Sequence, residues 1–186
     1  MLVRVFCGSK PQNPPVDQSL LDDIARVATA LQRASCRRLF PGDADPEGLL
    51  AILARGDTTF GSIRRGDLGA PQGGLVPAAV TRGITGTRLF LPSRVGATLI
   101  RQSAWVGANI TINNNAQAPG QVGYRDYLGV GASDPVYRAI TLIHELGHAA
   151  SIIYGTDALR VLWDENNPTQ SRANSQLVYD NCFRPE

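Results

Sequence analysis

Apolar positions recur along this chain at two spacings, and the change from one to the other marks its elements. Leu20, Ile24, Val27, Leu31 and Ala34 follow steps of four and three behind Asp17, a residue suited to capping, which predicts a helix ending near Arg38, before Pro41-Gly42. Asp45-Pro46-Glu47 opens a second helix through Leu49, Leu50, Ile52 and Leu53, and Gly56 closes it. Residues 56–86 are interrupted by Gly61, Gly66, Gly69, Pro71, Gly73, Gly74 and Pro77, a pattern of loops with short extended pieces. Residues 87–91 and 106–113 are predicted strands; in the second, Val106, Ala108, Ile110 and Ile112 alternate with more polar neighbours. A third helix starts at Ser133-Asp134-Pro135 and stops at Gly155. Ala139, Ile140, Leu142, Ile143, Leu146, Ala150 and Ile153 cover a wide arc of it, and Tyr137, Thr141, His144 and His148 share the narrow remainder. A helix so apolar belongs inside a domain, where its few polar groups need partners. A short strand at 159–163 and a last helix from Asn167-Pro168 through Ala173, Leu177 and Val178 to Cys182 complete the pattern, behind a proline-rich lead-in over residues 1–16.

The polar strip of the third helix carries the candidate chemistry. Both histidines of the chain lie in His144-Glu145-Leu146-Gly147-His148. Positions i and i+4 of a helix stand one above the other, so the two imidazoles can direct nitrogens at a single point, which suits a zinc ion. Glu145, about 100° round the helix from His144, is placed to take a proton from a water in the open position of the metal, the arrangement that HExxH supplies in metal hydrolases. The bland alternative is a pair of histidines packed and satisfied in a core.

Composition narrows the classes. With 186 residues and a net charge of +2, the chain is expected to form one domain, residues 1–186, with a substantial core. No basic run with interleaved aromatic residues gives a footprint for nucleic acid, and no apolar run is long enough to span a bilayer. The first six residues are too short for the apolar part of a secretory signal. Cys7, Cys36 and Cys182 show no C-x-x-C spacing, so a cysteine zinc site is not expected; Cys36 and Cys182 are left as either a disulfide in an exported protein or buried thiols. Arg55-Gly56-Asp57 and Arg65-Gly66-Asp67 repeat an adhesion tripeptide, but both are read as turns.

A catalytic zinc takes three protein ligands and keeps one position open. The long metzincin motif would need glycine at Ser151 and histidine at Tyr154, so that subgroup is excluded and a carboxylate must serve: Asp157, Asp164 or Glu165. Gly155-Thr156 followed by Asp157 is similar to the GTxD element of aspzincin peptidases, one residue short. The series His144-Glu145-Leu146-Gly147-His148-Ala149, Gly155-Thr156, Asp164, Ser171, Asn174, Leu177-Val178 and Asn181-Cys182-Phe183 resembles the C-terminal metallopeptidase-like segment of bacterial Rhs/YD-repeat and related surface proteins. Cys36-Arg37-Arg38-Leu39-Phe40 and Ile110-Thr111-Ile112-Asn113 resemble upstream elements of the same segment. The resemblance implies an acid at the place of Asp164 and favours it over Asp157, with Glu165 third.

Together these observations predict an α+β, zincin-like domain: a small twisted sheet over an HExxH helix, with further helices around them. The expected function is that of a zinc metallopeptidase in which His144, His148 and Asp164 hold Zn²⁺ and Glu145 is the general base. The expected partner is a peptide or protein substrate, which residues 109–113 would receive as an edge strand; the alternative for these residues is an internal strand with a polar outer face. Ser171 and Asn174 are candidates to hold a ligand in place or, equally, an N-terminal capping pair, and Tyr124, Arg125, Tyr127 and Tyr154 are candidates to stabilise an oxyanion, against packing for the tyrosines. The rival is a non-catalytic module stabilised by the same zinc or by the packed histidines alone. Attachment to an Rhs-like protein would place the domain outside the cell or on its surface; otherwise it is cytoplasmic.

Overall fold

The computed structural model describes residues 17–42, 44–56, 61–66, 68, 78–85, 90–91, 98–99, 105–113, 135–154, 160–165 and 167–185. Within them lie five α-helices, a three-stranded sheet and a two-stranded ribbon: α1 Gln18–Ala30, α2 Ala34–Arg37, α3 Pro46–Ala54, β1 Ile63–Gly66, β2 Ala79–Thr85, β3 Phe90–Leu91, β4 Thr98–Leu99, β5 Trp105–Asn113, α4 Pro135–Tyr154 and α5 Pro168–Val178. A π-helical turn, Tyr179–Phe183, extends α5. The fold is therefore mixed α+β. Among the described residues no helix is long and apolar enough to cross a membrane.

Helix α4 is the axis of the arrangement: α1, α3, α5, β2 and β5 all pack against it. Its apolar arc supplies Ala139, Ile140, Leu142, Ile143, Leu146, Ala149, Ala150 and Ile153 to the core, each at most 3% exposed. The helical side of that core comes from Val27, Leu31, Leu49 and Leu53; the sheet side comes from Ile63, Ala108 and Ile110. Asp23, buried on α1, accepts from Arg138 Nε on α4 at 2.8 and 3.0 Å, and Arg65 of β1 stands 3.6 Å from the same carboxylate. A charge buried this far needs such partners, and these tie helix, helix and sheet together.

The sheet corrects one expectation. Residues 109–113 do not lie at an edge: β5 is the central strand, parallel to β1 (Ile63 opposite Ile110) and antiparallel to β2 (Thr81 opposite Ile110). Its backbone is therefore taken on both sides and cannot receive an extended peptide. The approach of β1 depends on Gly61, at φ +128°, where a Cβ would stand 1.6 Å from the carbonyl oxygen of Ala108. The short extended pieces expected among the loops of residues 56–86 thus include two strands, β1 and β2, both paired with β5. Arg65-Gly66 belongs to β1 and is not a turn.

The first helix also stops earlier than its periodicity predicts. Arg33 is extended (φ −72°, ψ 130°), and its guanidinium donates to the carbonyls of Cys182 and Arg184, each at 3.0 Å. Arg37 Nε donates to the Leu31 carbonyl at 2.8 Å, satisfying the group that the broken helix leaves open. Cys36 is bonded to Cys182, so tertiary ties to the end of the chain override the local preference for one long helix. The two thiols left open by the sequence are a disulfide. The predicted strand at 159–163 is absent over its described part, 160–163. The proline-rich lead-in over residues 1–16 and residues 87–89 of the predicted strand at 87–91 lie outside the described residues.

Candidate metal centre

The polar groups of α4 meet the end of the 160–165 segment. His144 Nε2 and His148 Nε2 are 3.0 Å apart, as the i, i+4 spacing requires of two rings turned to one side. Asp164 spans them, with Oδ2 2.9 Å from His144 Nε2 and Oδ1 3.1 Å from His148 Nε2. The three residues could hold a metal ion: one ligand atom from each, all within 4.8 Å of one another. His144 and His148 are 5% and 4% exposed, so these groups have lost most of their water and must satisfy one another. Glu165 is exposed and outside the cluster. Asp157 and residues 124–127 lie outside the described residues, and Tyr154 packs against the core.

Neighbours hold each member. Ser175 Oγ, on α5, lies 3.0 Å from His144 Nδ1. When Nδ1–H donates to that oxygen, the lone pair is left on Nε2, the nitrogen that faces the cluster. Asn174, 1% exposed, reaches Asp164 Oδ2 through Nδ2 at 3.2 Å. The same amide clamps the backbone of Leu162: the Leu162 N–H donates to Asn174 Oδ1 at 3.1 Å, and Nδ2 donates to the Leu162 carbonyl at 2.7 Å. One side chain thus does for this segment what a neighbouring strand would do. Among the described residues Ser171 is bonded outside the helix ladder through its backbone N–H, to the Asn167 carbonyl at 3.0 Å. His148 Nδ1 is buried and has no hydrogen-bond partner among the described residues; the ring is tied to Asp164 through Nε2 and makes an edge-on contact with Trp163 at 5.4 Å between centroids.

Glu145 reaches the sheet. Cross-strand partners share a face, so Thr81, opposite the fully buried Ile110, also points at α4. Its hydroxyl lies 2.6 Å from Glu145 Oε2 and 3.1 Å from the Glu145 carbonyl. The carboxylate is 7% exposed and takes part in no ion pair among the described residues. A second approach fixes the segment against the helix. At Gly147 a Cβ would stand 2.8 Å from Cβ and Cγ2 of Val161, closer than real Cβ atoms come, so only glycine lets Val161 lie on α4 and bring Asp164 to the histidines.

Electrostatics follow the same geometry. Burial alone would raise the pKa of Asp164, but the hydrogen bonds and charges of His144 and His148 outweigh it and hold the carboxyl well below its ordinary 3.8. Burial alone would lower that of His148, yet the hydrogen bond to Asp164 and the negative charges of Glu145 and Asp164 raise it above 6.5. Each shift favours the charged form of its group.

Three supporting residues were not singled out by the sequence. Thr81 sits in the glycine-rich stretch that hid its strand, and Ser175 lies one residue beyond the Asn174 that was. Gly147 did leave a signal, since a glycine inside a buried helix costs about 1 kcal/mol relative to alanine and calls for a packing reason. The chain matches no protein-family model, no curated protein and no solved structure.

Proposed function

We propose that the protein is a zinc-dependent metallopeptidase of zincin type, with His144, His148 and Asp164 as ligands and Glu145 as general base and proton carrier. The observation that carries this reading is the convergence of two imidazole nitrogens and a carboxylate on one buried point, beside a glutamate whose carboxylate, among the described residues, is engaged by the Thr81 hydroxyl. The residues fit the ion. Two nitrogens and an oxygen are donors zinc accepts, and tetrahedral zinc with ligands near 2.05 Å separates them by about 3.3 Å. The two nitrogens stand 3.0 Å apart here, Asp164 offers a different oxygen to each at 2.9 and 3.1 Å, and one donor atom from each residue lies within 4.8 Å of the others, so small shifts would bring one oxygen and both nitrogens onto a single ion.

A zinc ion held there would acidify water and polarise a carbonyl oxygen. The chain supplies the rest. Ser175 and Asn174 fix the tautomer and orientation of the donors, and Thr81 holds one oxygen of Glu145 so that the other can accept a proton. Burial strengthens each of these contacts. The resemblance to the C-terminal segment of Rhs-associated proteins supports a peptide substrate and a place within a larger surface protein. A disulfide also suits an oxidising compartment.

A second reading rests on Asp164, which lies between the two rings and satisfies both of them: a polar cluster, or a zinc, that stabilises a non-catalytic module. Two variants separate the readings. The native protein should carry one equivalent of zinc by elemental analysis, and His148→Ala should lose it. Glu145→Gln should keep zinc and fold while turnover of a quenched-fluorescent peptide mixture falls by about 10²–10⁴-fold. Zinc retained with no turnover in the native protein would favour the module, and a native protein free of zinc would remove the metal reading.

A further inference from the structure

Three large apolar side chains are exposed among the described residues: Leu21, Leu162 and Trp163. Two of the three are adjacent, and they immediately precede Asp164. Leu162 is 51% and Trp163 54% exposed. Their exposure is not the result of a loose backbone, because Asn174 takes both polar groups of Leu162 and Val161 is seated against Gly147. Trp163 leans its ring on His148, at 66° between planes. A tryptophan held half in water by a segment this well anchored forgoes part of the apolar burial its side chain could contribute.

We propose that Leu162 and Trp163 form a subsite that receives a large apolar side chain of the substrate beside the scissile bond. This rests on the peptidase reading, since the ring that Trp163 touches is one of the proposed ligands. Size argues against a protein partner: half a tryptophan and half a leucine offer on the order of 200 Å², against about 800 Å² per partner for a stable interface. One substrate side chain is an occupant of the right scale. Because the platform is already ordered, little entropy is lost when it is covered. An aromatic or leucyl residue should be preferred over a small polar one by about tenfold to a hundredfold.

The test uses blocked Gly/Ser heptapeptides, with one Phe walked through the sequence and an all-Gly/Ser control. Turnover is measured on the native protein, and binding by tryptophan fluorescence on the same protein freed of metal. The chain has two tryptophans, so Trp163→Phe, which should keep binding by calorimetry, shows which one reports. The expected result is a Phe preference in both assays that falls about tenfold or more in Trp163→Ala and in Leu162→Ser, with zinc content and circular dichroism unchanged. If peptides are cut but the preference survives both variants, the subsite is overturned and the peptidase reading stands. If nothing is cut yet the Phe peptide binds through Trp163, the peptidase reading falls and with it the substrate subsite, leaving Leu162 and Trp163 as a peptide-binding platform. Neither cutting nor binding overturns both, and a concentration-dependent dimer lost in Trp163→Ala would make a second copy the occupant and overturn the subsite.

Discussion

The two halves of the candidate centre are built by different means. His144 and His148 face each other because the α-helix places i and i+4 together, and nothing beyond the helix is required for that. Asp164 reaches them from an irregular segment whose position depends on a glycine in α4, an amide in α5 and the fit of Val161 between them. The histidine half should therefore tolerate changes around it, whereas the carboxylate half should fail when any one of its supports is removed.

Asn174→Ala should give the largest effect on that contrast. It strands the N–H and C=O of Leu162 and leaves Asp164 without its amide, at a cost of about 1–3 kcal/mol and about 10–100-fold in metal affinity. Urea unfolding and competition with a chromophoric chelator would measure the two; an unchanged affinity would mean that Asp164 finds the cluster unaided. Gly147→Ala should cost less in stability, because overpacking of about 1–3 kcal/mol is partly offset by about 1 kcal/mol of helix propensity. It should nonetheless weaken metal binding, and adding Val161→Ala should restore that binding. A Gly147→Ala protein that binds metal normally would show that the segment has room to shift.

The smallest effect is the pH dependence, and it has opposite signs with and without metal. The folded pKa of Asp164 is lowered, so its stabilising contribution is present above 3.8 and lost as pH falls through the folded value. That of His148 is raised, so its contribution is present below 6.5 and lost as pH rises through the folded value. The metal-free protein should accordingly gain most from this pair between about pH 4 and 6.5, whereas metal must displace the proton from His148 and should add more to Tm as pH rises. Thermal melts with and without zinc from pH 4.5 to 8 would check both slopes.

The same contrast sets how much was legible in advance. The α4 helix, its polar strip and the capped starts of α3 and α5 follow from spacing within a few turns of chain, and they are present, with Asp45 and Asn167 capping as their positions suggest. What was missed is long-range. The central place of β5 depends on an approach that only Gly61 permits, and the early end of α1 on bonds to residues 182 and 184. Thr81 and Ser175 acquire their roles only once β2 and α5 are docked on α4. Local periodicity has no means of expressing such pairings.

The bond between Cys36 and Cys182 has a consequence for any assay of self-cleavage. It joins positions 146 residues apart, so a single cut at any peptide bond between them leaves both fragments on one covalent molecule. A nicked protein would run as an intact one on electrophoresis without reductant and separate into two bands only after the sulfurs are parted.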